Sequence, residues 1–348
     1  MTAPSDIAGR LKVTGRELGF NVVRIAPAVQ PPGYHPLLEW MKAGYDADMQ
    51  WISRRSDAYA HPNGVMPGTR SVIVVAMNYH NQSPPEGRPR IARYAWGTED
   101  YHSLMRRRLK RLAGALHESL PDEKTRVVVD TAPLLERDFA RLAGIGWFGK
   151  NTMLISRDIG SWFFLGALLT TAELPNDEPF QQEFCGTCTA CLEACPTDAF
   201  PEPYVLDSNR CISYLTIERR DKSVTEELRS RMGDWIFGCD VCQEVCPWNR
   251  FAPDESPEEF HLRSELRDVE LVDLLEMDQS EFAHQFANTP LERTGRNVIV
   301  RNAAIVAGNS GSRDLLKVLR NLLSDDSALV RDSADWAIKQ IERESVSD

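Results

Sequence analysis

The sequence predicts an α+β multidomain chain with an α/β N-terminal part, a cysteine-bearing middle and a helical tail, and three observations carry this. All eight cysteines fall between Cys185 and Cys246. Ahead of them, apolar β-branched runs alternate with helical periodicity. Behind them the pattern is helical, and two segments match at an offset of 30 residues. The expected boundaries are 1–175, 176–255 and 256–348.

In the first part, Ser71 to Ala76, Arg126 to Val129 and Trp162 to Leu169 have the apolar character of buried strands. Between the first two, Met105, Leu109, Leu112, Leu116 and Leu120 recur on one face of an amphipathic helix. Pro121-Asp122 ends it, and the next strand runs into Asp130-Thr131-Ala132-Pro133, where the proline is expected to open a helix. Asp130 is thus expected at a strand's C-terminal edge, where α/β folds place ligands; an N-cap is its alternative role. The 348 residues and 42% hydrophobic content suffice for several packed cores. No run reaches the roughly 20 apolar residues of a membrane span, so no membrane association is expected.

The middle begins after the polar stretch Glu173 to Glu183. Its cysteines read Cys185-x2-Cys188-x2-Cys191-x3-Cys195-Pro196, then Cys211, then Cys239-x2-Cys242-x3-Cys246-Pro247. This matches the bacterial ferredoxin pattern for two 4Fe-4S clusters, in which the last cysteine of each run crosses to the other cluster. One cluster then takes Cys185, Cys188, Cys191 and Cys246. The other takes Cys195, Cys211, Cys239 and Cys242. Structural zinc prefers two separated pairs, and disulfides need an oxidising compartment. The polar start from Met1 to Lys12 carries no apolar signal segment, so a cytoplasmic location with reduced thiols is expected.

In the tail, Val300-Arg301-Asn302-Ala303-Ala304-Ile305-Val306-Ala307 matches Val330-Arg331-Asp332-Ser333-Ala334-Asp335-Trp336-Ala337. Val-Arg opening each helix and alanines packing its inner face suggest a HEAT-like pair, with an ordinary helical hairpin as the alternative. The net charge of -11 argues against a protein that coats nucleic acid nonspecifically. Charge is uneven, however. Residues 251 to 290 are acidic, whereas Arg106, Arg107, Arg108, Lys110 and Arg111 form a basic run, either a solvated face or a phosphate grip.

Clusters pass electrons singly, so two of them beside a larger folded region predict a relay that feeds a redox site. That region carries neither Gly-x-Gly-x-x-Gly nor a P-loop; flavin could bind without them. Its motifs do point to a family. Tyr94-Ala95-Trp96-Gly97, Asp100-Tyr101-His102, Val129-Asp130-Thr131-Ala132-Pro133-Leu134-Leu135-Glu136-Arg137, Gly146-Trp147-Phe148-Gly149-Lys150-Asn151 and Gly238-Cys239-Asp240-Val241-Cys242-Gln243 resemble epoxyqueuosine reductase. The resemblance runs over most of the chain.

It implies a cobalamin-binding α/β catalytic domain, a ferredoxin-like two-cluster domain and a HEAT-like helical tail. The implied reaction is reduction of the epoxide of epoxyqueuosine at the tRNA wobble position, completing queuosine. Implied partners are tRNA and an external one-electron donor of ferredoxin or flavodoxin type, with the chain a monomer. By resemblance Asp130 is the proton donor, a role that calls for a raised pKa. Arg54, Arg93, Leu154, Leu165, Ser213, Tyr214, Asp240 and Val241 join it around cobalamin. Surface ion pairing is the other reading for Arg54, and core packing for the two leucines. Lys150-Asn151 contacts substrate or forms a solvated turn. The cobalamin is expected base-off, since the Asp-x-His at Asp100 to His102 has Met105 where a histidine-ligated form has glycine. Phosphates would meet the Arg106 to Arg111 run and Arg293, Arg296 and Arg301. A cobalamin-dependent reductive dehalogenase of a small molecule and a noncatalytic electron carrier are the rival readings.

Overall fold

The computed structural model describes residues 3–81, 89–254 and 256–344. Met1 and Thr2 of the polar start, and residues 345–348 of the tail range, lie outside them. The three expected strands join a fourth that was not expected, Val22–Pro27, in one sheet, in the order Val22–Pro27, Ser71–Asn78, Phe163–Thr170, Thr125–Val128. Every neighbouring pair is antiparallel, with Ser71 opposite Thr170 and Asn78 opposite Phe163. The alternation of helix and strand had pointed to α/β winding. The rule that ligands sit beyond the C-terminal ends of strands belongs to such parallel sheets and does not carry over.

Ser71–Asn78 is buried along its whole length, so it shows no alternation of polar and apolar residues. Both sheet faces are covered. Ile73, Val75 and Met77 pack with Ile7 and Leu11 of the helix Pro4–Glu17 and with Leu104, Leu109 and Leu112 of the helix Tyr101–Ser119. Val72, Val74 and Ala76 face the other way, onto Phe139 and Ala140 of the helix Glu136–Leu142. Met105 and Leu116 are fully buried on the expected stripe. Burial of such side chains stabilises the layer by about 1.5–3 kcal/mol each.

The cysteine-bearing part contributes Ile212, Leu215, Trp235, Ile236 and Phe237 to one core shared with the tail helices. A parallel pair between Arg90–Ile91 and Trp235–Phe237 ties the N-terminal part to that core. The matched tail segments fall in the helices Arg296–Ser310 and Ala328–Glu344, which pack together. Val300, Ala303, Ala304, Ala307, Val330, Ala334 and Ala337 are all fully buried. Val300-Arg301, expected to open its helix, lies inside it. Arg301 is buried while its counterpart Arg331 is exposed. Among the described residues no helix is long and apolar enough to cross a membrane.

Candidate functional site

The first cysteine set surrounds a cavity of about 280 Å³ lined by Cys185, Cys188, Cys191 and Cys246. Its floor is aromatic. Trp147 stacks on Phe180 at 5.6 Å and meets Phe184 and Trp248 edge-on at 5.1 and 4.9 Å. Trp147 reaches this position because Gly146 lets the chain touch Ile155; a Cβ there would stand 2.0 Å from the Ile155 carbonyl oxygen. Lys150 Nζ donates to the carbonyls of Gly186 and Cys188 at 2.8 and 2.9 Å, and Asn151 Nδ2 donates to that of Cys242 at 3.1 Å. This pair therefore pins the cysteine loops, a role neither expectation for it had named.

Burial and the neighbouring Cys246, Cys185 and Cys188 push the Cys191 thiol up to about 11. In the second set burial raises Cys211, Cys239 and Cys242, and each is pushed further by other members of that set; Cys242 also feels Cys191. The thiols whose shifts are resolved thus feel mainly members of their own expected set, with Cys242 reaching across to Cys191. Thiols held protonated by burial are poor nucleophiles, whereas a bound cation makes them thiolates. Four cysteine sulfurs around one roomy cavity suit an iron–sulfur cluster. Among the described residues, no three His, Cys, Asp or Glu side chains converge on a point as they would around a single ion.

A second cavity, of about 1880 Å³, opens where the three parts of the chain meet. It exceeds the roughly 300–1,000 Å³ of an ordinary small-molecule pocket, which suits a large cofactor together with a nucleotide. Of the expected site residues, Asp130, Leu165, Ser213 and Tyr214 line it, as does the cysteine Cys211. Arg54, Arg93, Leu154, Asp240 and Val241 are not among the lining residues. Arg54 is exposed and donates to Gln50 at 2.9 Å, while its neighbour Arg55 reaches the Thr131 carbonyl. Leu154 is buried in the sheet core. Arg93 is also buried and holds Asp240 through its backbone N–H at 2.8 Å and its guanidinium at 3.3 Å, and Glu244 at 2.8 Å. It clamps the second cysteine run to the N-terminal part. Burial, opposed by Arg93, pushes Asp240 up to about 6.

Asp130 lies just past the strand Thr125–Val128 with φ 59°, a left-handed conformation uncommon outside glycine. The helix that follows starts at Glu136, not at Pro133, and its N-cap is Leu135. Asp130 is therefore no cap. Its carboxyl opens to the cavity, where Tyr101 Oη donates to it at 3.2 Å and the His102 Nε2 lies 3.4 Å away. On the far side of that imidazole, Nδ1 lies 2.8 Å from Asp100, and Arg293 of the tail pairs with Asp100 at 2.9 Å.

This network reverses the expected shift. The hydrogen bond to His102 outweighs burial and holds Asp130 below the ordinary carboxylate value. Burial opposes protonation of His102, but hydrogen bonds to Asp100 and Asp130 prevail and raise it. The two shifts favour a proton on the imidazole over one on the carboxyl. Sequence reasoning used Asp100-Tyr101-His102 as a family motif and as an Asp-x-His lacking its glycine, and did not place His102 beside Asp130. The signal was a histidine one residue into a helix whose N-cap is the aspartate that orients it.

The proposed phosphate contacts separate. Arg106 donates to Thr131 Oγ1 beside Asp130. Arg107 and Arg108 pair with Glu99 and Glu259. Arg293 lines the cavity. Arg301 is fully buried and Arg296 is paired with Asp325, so neither meets a phosphate as expected.

Comparison with known proteins places these features. Residues 184–249 match the 4Fe-4S double cluster binding domain, and residues 60–131 match the family described as "Epoxyqueuosine reductase QueG, DUF1730". The epoxyqueuosine reductase of Xanthomonas campestris pv. campestris is 41% identical over 97% of each chain. A crystal structure of epoxyqueuosine reductase with a tRNA-Tyr epoxyqueuosine-modified stem loop superposes with TM-score 0.88 at 28% identity, over 97% of this chain and 90% of that one. The Bacillus subtilis enzyme, solved with an aspartate-bearing catalytic loop swung out of the active site, does so with TM-score 0.83 at 27% identity, over the same shares. The chain belongs to the epoxyqueuosine reductase family.

Proposed function

We propose that this chain reduces the epoxide of epoxyqueuosine in the tRNA anticodon, giving the alkene of queuosine and water. The observation that carries the reading is a shared chamber. Asp130, backed by the His102 imidazole, faces the same cavity as Cys211 of the second cysteine set. Opening an epoxide to an alkene takes two electrons and two protons and releases the oxygen as water. When bound, two 4Fe-4S clusters and base-off cobalamin would supply the two electrons and a low-valent metal.

The protein's own groups handle the rest. Asp130 relays a proton from His102 to the departing oxygen, and solvent supplies the second proton, so that the oxygen leaves as water. Asp100 and Arg293 keep the imidazole turned toward it. Cys185, Cys188, Cys191 and Cys246 hold one cluster, and Cys195, Cys211, Cys239 and Cys242 the other. Leu165, Ser213 and Tyr214 offer walls for cobalamin. Arg93 acts from behind by fixing Asp240 and Val241 between two cysteine ligands. Arg55, Arg106 and Arg293 grip the anticodon backbone around the extruded base. The mobile catalytic loop of the Bacillus subtilis relative supports the assignment of Asp130. An external ferredoxin- or flavodoxin-type carrier, a monomeric chain, a cytoplasmic setting and the three-part division with a HEAT-like tail complete the reading.

The test is anaerobic incubation of the reconstituted, reduced protein with tRNA carrying epoxyqueuosine, followed by nucleoside mass spectrometry. Conversion to queuosine is expected. Asp130→Asn should lower the rate by at least about 100-fold while iron, sulfide and cobalt stay bound; a variant of near-normal rate removes Asp130 from the chemistry.

A further inference from the structure

The carboxyl of Asp130 is met by side chains only at 3.2 and 3.4 Å, yet its backbone is held more firmly. The Asp130 N–H donates to Glu136 Oε1 at 2.9 Å. Between the two residues the chain has no regular structure, and Asp130 itself keeps a positive φ. Glu136, by contrast, is the first residue of a helix whose Phe139 and Ala140 are fully buried against the sheet. The acceptor thus belongs to a rigid element and the donor to a loop.

We propose that Glu136 is the positioning residue for Asp130, a latch whose carboxyl oxygen holds residues 130–135 with the Asp130 carboxyl turned into the cavity. The inference rests on the proposed proton-delivering role of Asp130. Releasing the N–H would leave a strained left-handed residue with no backbone partner to fix it, and the loop would relax away from the substrate. Burial and the Asp130 charge push Glu136 up to about 8. Near neutrality the latch is then a neutral acid. It still accepts the N–H and adds no negative charge beside the carboxylate it positions.

Two variants and two readouts test this. Glu136→Gln keeps a carbonyl acceptor and copies the neutral state; Glu136→Ala removes the acceptor. Hydrogen exchange of the Asp130 loop is measured on the holoprotein, with the strand Phe163–Thr170 as internal reference, alongside turnover of epoxyqueuosine tRNA. Glu136→Ala should speed loop exchange about tenfold or more without changing the reference strand. It should lower kcat about 10–100-fold with KM nearly unchanged, and Glu136→Gln should restore both. Unchanged loop exchange in Glu136→Ala, or a Gln variant as impaired as the Ala variant, overturns the latch. Faster exchange with normal turnover supports the latch and overturns the role of Asp130 instead.

Discussion

Asp130 and His102 lie 3.4 Å apart, and their two pKa shifts have opposite signs. His102 is raised, so its stabilising contribution is complete below about pH 6.5, the value of the unfolded chain, and fades as pH rises through the folded pKa. Asp130 is lowered, so its contribution is present above about pH 4 and fades as pH falls through its folded pKa. The pair therefore stabilises most between these limits. Anaerobic melting of wild type and His102→Gln should show the largest Tm difference near about pH 5–6, shrinking toward pH 8; a difference independent of pH would show that the imidazole does not titrate. None of this was legible around Asp130 itself. Its local sequence predicts only burial, which raises a carboxyl, whereas the groups that lower it come from the helix Tyr101–Ser119 and from Arg293 in the tail.

At the level of elements, spacing and periodicity were good guides. The cysteine-bearing segment, the three expected strands and the leucine stripe of Tyr101–Ser119 are local signals, and each appears where expected. Strand direction was not readable, because a strand covered on both faces looks the same in parallel and antiparallel sheets. Arg301 misled for a related reason: charge suggests a surface, yet here it is interior. Its guanidinium donates to the carbonyls of Leu215 and Lys222, at 2.6 and 3.3 Å, and to that of Arg219. These carbonyls lie in and just beyond the helix Ile212–Ile217, so one side chain fastens the tail to the segment that follows Cys211. Arg301→Met should cost about 3 kcal/mol, since it leaves buried carbonyls without donors, and should lower Tm while iron content at 20 °C stays near wild type. A fall under about 0.5 kcal/mol would show that the carbonyls find other partners.

Across the whole molecule, an acidic chain is expected to grip a polyanion with few cations. Arg55 and Arg293 line one cavity and Arg106 reaches its wall at Thr131, although Arg293 also pairs with Asp100; Arg107, Arg108, Arg296 and Arg301 are engaged within the protein away from it. Affinity for tRNA should fall with salt at a slope set by the few free contacts, and Arg106→Ala should reduce that slope by about 1. A slope unchanged in the variant removes Arg106 from the interface. Anaerobic reconstitution should return about eight irons and eight sulfides per chain, as two four-iron clusters require.

Arg293 reaches back to Asp100 and His102 from near the end of the chain. During synthesis on the ribosome, every thiol emerges before this arginine does. The Asp100–His102 pair can therefore gain its third member only after the whole cysteine-bearing segment has been made.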